Sequence, residues 1–104
     1  MAQFDVHRNT DTEGRKRAPF LVVIQSDFLS DLQTRVAAPL VLAEKFGTPV
    51  SRLNPTFKVA DRAVVLSIGE LAAIDRRELG EGVASLAASR DDIIAALDFL
   101  FTGI

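Results

Sequence analysis

The sequence predicts a mainly β protein closed by a single C-terminal α-helix, with short strands curled into a small antiparallel barrel or sheet. Three observations carry this. Short apolar runs, alternating or β-branched, recur between turn residues through most of the chain, as in a small all-β domain. One of them, "FLVVI" at 20–24, is apolar without interruption, as suits a strand covered on both faces. The last fifteen residues instead space their apolar side chains with a helical period.

Taken in order, Gln3 to His7 alternates polar and apolar residues, with Phe4 and Val6 on one side, and reads as a half-buried strand. "NTDTEGRK" at 9–16 is polar, carries Gly14, and reads as an exposed loop. Phe20 to Ile24 is the central strand, "QSDFLSDLQT" a second loop, and Val36 to Ala43 another strand, bent or edged at Pro39. Gly47, Pro49, Asn54 and Pro55 make residues 44–55 a loop. Thr56 to Val59 and Arg62 to Ile68, joined by Ala60-Asp61, read as a hairpin. Residues 70–84 fit strand or helix equally well on pattern alone.

For the terminal helix, Ser89 is the expected N-cap, Asp92 stands in capping-box position, and Asp91 adds negative charge to the first turn. Ile93, Leu97, Leu100, Phe101 and Ile104 form the expected buried face. At about 100° per residue, Ala95, Asp98, Phe99 and Thr102 fall opposite. Phe99 is thus expected to be exposed, and Gly103 to end the helix as its C-cap glycine. No basic residue follows Asp98 to offset the helix C-terminus. The tip reads either as an apolar nub awaiting a partner or as a poorly optimised end.

Length and composition narrow the class. Residues 1–104 are expected to form one domain. The 48% hydrophobic content is high for this size, so part of the surface is expected to be covered by a partner, most simply a second copy. There is no cysteine, which excludes a disulfide scaffold, a thiolate metal site and a cysteine nucleophile. The longest apolar run, Val36 to Ala43, is far short of the roughly 20 residues a membrane helix needs. "MAQFDVHRN" lacks the design of a signal peptide. The expectation is a cytoplasmic protein without a membrane partner. Formal charge is -2, but residues 1–69 hold nine basic and seven acidic residues, against three and seven in 70–104. That is no nucleic-acid-binding stripe, but it leaves an N-terminal part able to attract an acidic segment.

The inventory for chemistry is thin. His7 is the single histidine and, within a strand, reads as structural. Asp91-Asp92 and the Asp75, Glu78 pair read as helix-start and surface charges. "GEG" at 80–82 lacks the lysine and helix of a phosphate loop. Arg15-Lys16-Arg17 is the one basic cluster, read as a solvated loop or as a contact for an anion or acidic peptide. No cofactor or metal site is expected, and the balance is against an enzyme.

Together these segments resemble the CcdB family, toxins of plasmid or chromosomal toxin–antitoxin pairs. "MAQFDV" is similar to the family's first strand. "FLVVIQSDFLSDLQTRVAAPL" matches its central signature: a buried strand, Gln-Ser-Asp and two apolar residues, then a basic residue and a strand ending in Pro-Leu. "NPTFKV" takes the place of a further strand, and "RDDIIAALDFLFTGI" looks like the terminal helix ending in Gly-Ile. The resemblance is collinear over nearly the whole chain. It implies a homodimer with an SH3-like β-barrel of the CcdB/MazF type. It also implies a non-catalytic poison that enters the DNA gyrase A subunit dimer and traps gyrase with its DNA cleaved. A CcdA-like antitoxin with a disordered, acidic C-terminus would neutralise it, folding onto it as it binds.

Carried over by residue, the gyrase-contacting tip falls on Thr102, Gly103 and Ile104, with supporting contacts on Ser26, Phe28, Leu29, Asp98 and Phe101. For the antitoxin no motif fixes the contacts; the candidates are the loop at 8–17, with Arg8, Arg15, Lys16 and Arg17, and the loop at 44–54. One departure matters: the best-known family pattern ends in Trp-Gly-Ile, and here Thr102 holds the aromatic position. Losing a Trp hot spot costs about 2 kcal/mol or more, roughly 30-fold in affinity per tip. Phe99, on the outward face, is the expected substitute anchor. Two other readings stand beside this one. One is a MazF-like endoribonuclease on the same barrel, and the other a decayed toxin homologue that binds only antitoxin.

Overall fold

The computed structural model describes residues 2–103. Seven strands form one sheet: β1 (Asp5–Asn9), β2 (Phe20–Val23), β3 (Thr34–Leu42), β4 (Thr56–Val59), β5 (Arg62–Leu66), β6 (Ala72–Asp75) and β7 (Leu79–Ser85). Two helices join them, the single turn α1 (Ala43–Phe46) and the terminal α2 (Arg90–Thr102). The sheet order is β4-β5-β3-β2-β1-β7, with β6 pairing β3 off this path, and every pairing is antiparallel. The result is the expected mainly β fold, a curled antiparallel sheet carrying a C-terminal helix.

β2 lies inside the sheet between β1 and β3, and all four of its residues are buried, as its unbroken apolar run requires. β3 is longer than the sequence suggests, and Pro39 lies within it and not at its end. On one side β3 runs along β2, with Pro39 opposite Leu21. On the other it pairs first with β6, through Thr34 to Ala37, and then with β5, from Leu40 to Leu42. The Pro39 carbonyl accepts the Ser67 N–H at 3.0 Å on that second side. A strand residue's nitrogen and carbonyl face the same way, so the missing N–H of Pro39 faces the gap where one partner strand gives way to the next.

Several boundaries move. The first strand begins at Asp5, because Phe4 takes φ 69° in a turn yet stays buried. Residues 44–55 open with the last turn-residues of α1, which no periodicity could reveal in four residues. The hairpin falls where expected, with Ala60 and Asp61 both at positive φ, the geometry of a tight two-residue turn. Residues 70–84 resolve into β6, a 3-10 turn at Arg76–Glu78, and β7. β7 lies against β1 with two register shifts beside His7. Gly80 comes so close there that a Cβ would sit 2.8 Å from the Arg8 carbonyl.

The main core gathers Phe4, Val6, Phe20, Val22, Leu40, Val64, Leu66 and Ile68 with Ile93 and Ala96 of α2. The helix face differs from expectation. Ile93 and Ala96 are buried, Leu97 and Leu100 pack against the core, and Phe101 stands 70% exposed. At about 100° per residue, a face centred on Ile93, Ala96 and Leu100 leaves Phe101 at its edge. Ile104 lies outside the described residues. Ser89 belongs to a 3-10 turn and makes no side-chain cap; the Ser85 hydroxyl instead accepts the Ala87 N–H at 3.2 Å. Gly103 does close the helix in the left-handed region, at φ 75°. No helix among the described residues is long and apolar enough to cross a membrane.

Candidate functional site

The loop between β2 and β3 is a built object, and the "QSD" passage builds it. The Gln25 side chain reaches across, its Nε2 donating to the carbonyls of Leu29 at 3.1 Å and Thr34 at 3.4 Å. Its Oε1 accepts the Val36 N–H at 3.1 Å. The Ser26 hydroxyl accepts the Phe28 N–H at 3.2 Å and starts a 3-10 turn over Asp27–Leu29. Asp27 accepts the Gln3 N–H at 2.7 Å, tying the loop to the chain's first turn. From the far side the Arg35 guanidinium donates to the carbonyls of Ser30 and Leu32, and to Thr34 at 2.9 Å.

Every polar group of the motif is therefore occupied in holding the loop, while its apolar groups face outward. Phe28 is 99% exposed, and Leu29 and Leu32 are 49% exposed each. A large apolar group held outward by a hydrogen-bonded frame is a feature that demands a reason, unlike scattered exposure.

The helix tip has the same character. Phe101, Asp98, Thr102 and Gly103 are exposed. The Thr102 hydroxyl turns back to donate to the Asp98 carbonyl at 2.6 Å, spending its polar atom on the helix itself. A Cβ on Gly103 would meet nothing within 4 Å, so its glycine is required by backbone conformation and not by space. Phe99 corrects the sequence reading: it is half-buried, with the Arg52 guanidinium 5.0 Å from its ring centroid. That is within cation–π range. Phe101, expected in the core, is the outward aromatic instead. Ile24, which leads into the loop, and Leu97 and Leu100 of α2 all pack on the main core.

The basic residues are not a free patch. Arg8 pairs with Glu81 at 3.2 Å and lies 6.0 Å from the Phe20 ring. Lys16 pairs with Glu13 at 3.3 Å, neighbouring it in the same loop. Arg17 grips Glu70 with two hydrogen bonds of 3.0 and 2.9 Å. Ser67 adds a third to Glu70 at 2.5 Å. The Arg17 bonds chiefly, then that of Ser67, hold the Glu70 carboxyl below its ordinary range, and Glu70 in turn raises Arg17. Arg15 is exposed. His7 is buried, its Nδ1 2.9 Å from the Gly80 carbonyl, which fits the structural reading. Among the described residues no cluster of His, Asp or Glu is placed to hold a metal ion.

Sequence reasoning missed Leu32, Arg35 and Arg52. Leu32 offered no signal beyond being apolar within a loop. Arg35 and Arg52 act on residues that only the fold brings to them.

The curled antiparallel sheet, the braced loop with Phe28 outermost and the exposed helix tip define a small, mainly β protein. The chain belongs to the CcdB family, whose model, described as CcdB protein, matches residues 3–103. Membership implies a toxin of a toxin–antitoxin pair directed at DNA gyrase.

Proposed function

We propose that this protein is a non-catalytic gyrase poison: a cytoplasmic homodimer that binds the DNA gyrase A subunit and traps the cleaved gyrase–DNA complex. A CcdA-like antitoxin with an acidic, disordered C-terminus neutralises it. The observation that carries this is the fully exposed Phe28 on a loop braced by Gln25, Ser26, Asp27 and Arg35. Among the described residues nothing packs on that side chain, whereas an interface uses pre-ordered aromatic anchors well.

In this reading Phe28, Leu29, Phe101 and Thr102 provide apolar contact, with Asp98, Gly103 and Ile104 completing the tip. Ser26 acts through Phe28, whose amide it holds. Phe99 contributes by way of its Arg52-covered ring, a weaker anchor than a free one, and Phe101 takes the role of outward aromatic. A dimer presents two tips to a two-fold target, which multiplies the affinity of each. For the antitoxin, Arg15 is the readiest basic contact; Arg8, Lys16 and Arg17 would exchange their present carboxylates for those of the partner.

The endoribonuclease alternative asks for an arginine and a hydroxyl in one cleft. Ser30 and Arg35 share a groove, but both amino groups of Arg35 donate to loop carbonyls, leaving it a brace and not a transition-state clamp.

The test is a DNA cleavage assay with gyrase, ATP and plasmid, quenched with detergent and protease, beside a variant lacking Gly103 and Ile104. Linear DNA formed only with the intact tip supports gyrase poisoning with Thr102 in place. No linear DNA with an active host gyrase rejects it and favours the decayed toxin, or the ribonuclease if RNA is cut.

A further inference from the structure

Arg35 has a second aspect that bracing the loop leaves unexplained. Its residue is 5% exposed, yet no carboxylate lies within ion-pair distance of it among the described residues. Three of its five N–H donors go to neutral carbonyls, and its Nε is buried without a partner. Carbonyls satisfy hydrogen bonds but do not cancel charge, and a buried cation lacking a counter-charge is unfavourable.

Beside it opens a groove of about 490 Å³ lined by Ser30, Arg35, Arg76 and Arg77. The fold assembles it from three places: the end of the β2–β3 loop, the start of β3, and the 3-10 turn after β6. Pairing of Thr34 with Asp75 and of Arg35 with Ile74 sets the register, and the Arg76 N–H donates to the Gln33 carbonyl at 3.0 Å to fix the turn. Arg77 is neutralised locally, its Nε and Nη2 reaching the two Asp75 oxygens at 3.1 and 2.9 Å. Gln33 adds a further bond to Asp75 at 3.1 Å, and this set of donors, Arg77 foremost, holds that carboxyl well below the usual range. Asp75 is thus committed to Arg77. Arg76 is exposed and, among the described residues, has no carboxylate partner. Three guanidinium groups face Asp75 and the nearby Glu78, which also acts on Arg77, so the groove keeps a net positive charge, on a chain whose net charge is -2.

We propose that this groove is an oxyanion site for a phosphate-class anion, free or as the terminal phosphate of a nucleic acid strand. The sign of the charge matches: Arg76 supplies guanidinium donors, which suit phosphate oxygens, Arg35 adds its charge while its amino groups stay with the loop carbonyls, and Ser30 lines the groove with a hydroxyl. No aromatic side chain lines the groove, so it is suited to grip the phosphate and not to stack a base. None of its four residues belongs to the proposed gyrase contacts, and the Arg76 side chain takes no part in bracing the Phe28 loop, so a test at Arg76 lets either proposal fail without the other.

The experiment titrates the protein with inorganic phosphate at constant ionic strength, reading amide and arginine side-chain NMR signals and thermal midpoint. Saturable shifts confined to residues 30–35 and 76–78, with a raised midpoint, are expected. Arg76→Gln, a change of an exposed side chain, should keep the folded spectrum and weaken phosphate at least fivefold, while Arg62→Gln on β5 should not. A 5′-phosphorylated dinucleotide binding more tightly than phosphate identifies a strand end as the source; equal binding identifies free phosphate. Shifts spread over all the arginines, an equal effect of chloride, or capture of a polyglutamate peptide but not of phosphate would overturn the proposal, the last in favour of a protein partner.

Discussion

Replacing Gln25 by alanine should unlock the loop that presents Phe28. The side chain makes two bonds of 3.1 Å, to the Leu29 carbonyl and from the Val36 N–H, and a weaker one of 3.4 Å to Thr34. Two net hydrogen bonds are worth about 2 kcal/mol, and leaving the part-buried Val36 N–H without its acceptor moves the loss toward about 3 kcal/mol. The Leu29 and Thr34 carbonyls, being exposed, regain water and add little. For a domain of this size that is a fall of roughly 10 °C or more in thermal midpoint. Urea unfolding with unchanged m measures it, and hydrogen exchange of the residue 26–36 amides locates it. Phe28→Ala is the control. That side chain is 99% exposed, so its loss should change stability by less than about 0.5 kcal/mol. A Gln25→Ala protein within about 0.5 kcal/mol of the parent, with exchange in the loop unchanged, would refute the claim that Gln25 braces it.

Three further outcomes are expected. Phe28→Ala and Phe101→Ala should each weaken gyrase binding by about 2 kcal/mol, roughly 30-fold, with thermal midpoints nearly unchanged; binding to immobilised gyrase A subunit reads this directly. Thr102→Trp should tighten that binding by a comparable factor, because the Thr102 hydroxyl bonds only to its own helix; unchanged affinity would mean the position does not touch the target. The folded-state pKa of Glu70 is depressed, so its stabilisation is present above the ordinary carboxylate range and is lost as pH falls through the lower, folded value. Glu70→Gln should therefore lower the thermal midpoint at pH 7 and converge with the parent in acid. Because the pair is half exposed, the gap at neutral pH should stay near or below about 1 kcal/mol.

How much of this was legible in the sequence depends on how local each cause is. The two-residue hairpin at Ala60-Asp61, the buried β2 and the left-handed Gly103 were all readable, because each depends on one short segment. The apolar character of Phe28 and Leu29 was readable too. That Gln25 and Asp27 would hold the frame was not, since Gln25 reaches on to Thr34 and Val36 and Asp27 back to Gln3. The helix shows the limit most clearly. A wheel centred on large residues put Phe101 inward and Phe99 outward, whereas the buried face centres on Ile93 and Ala96, which leaves Phe101 exposed, and Arg52 lies over a half-buried Phe99.

The sequence by itself determined the class: strands from period-two and β-branched runs, a final helix from its apolar spacing, and the family passages around "QSDFL" and the terminal helix. Those are properties of neighbours along the chain. Only the tertiary structure decided which side chains are left outside, and that Pro39 sits where β3 exchanges β6 for β5. It alone brought Ser30, Arg35, Arg76 and Arg77 into one groove. The physical reason is that exposure and charge compensation are settled between segments tens of residues apart, where no local pattern can carry the information.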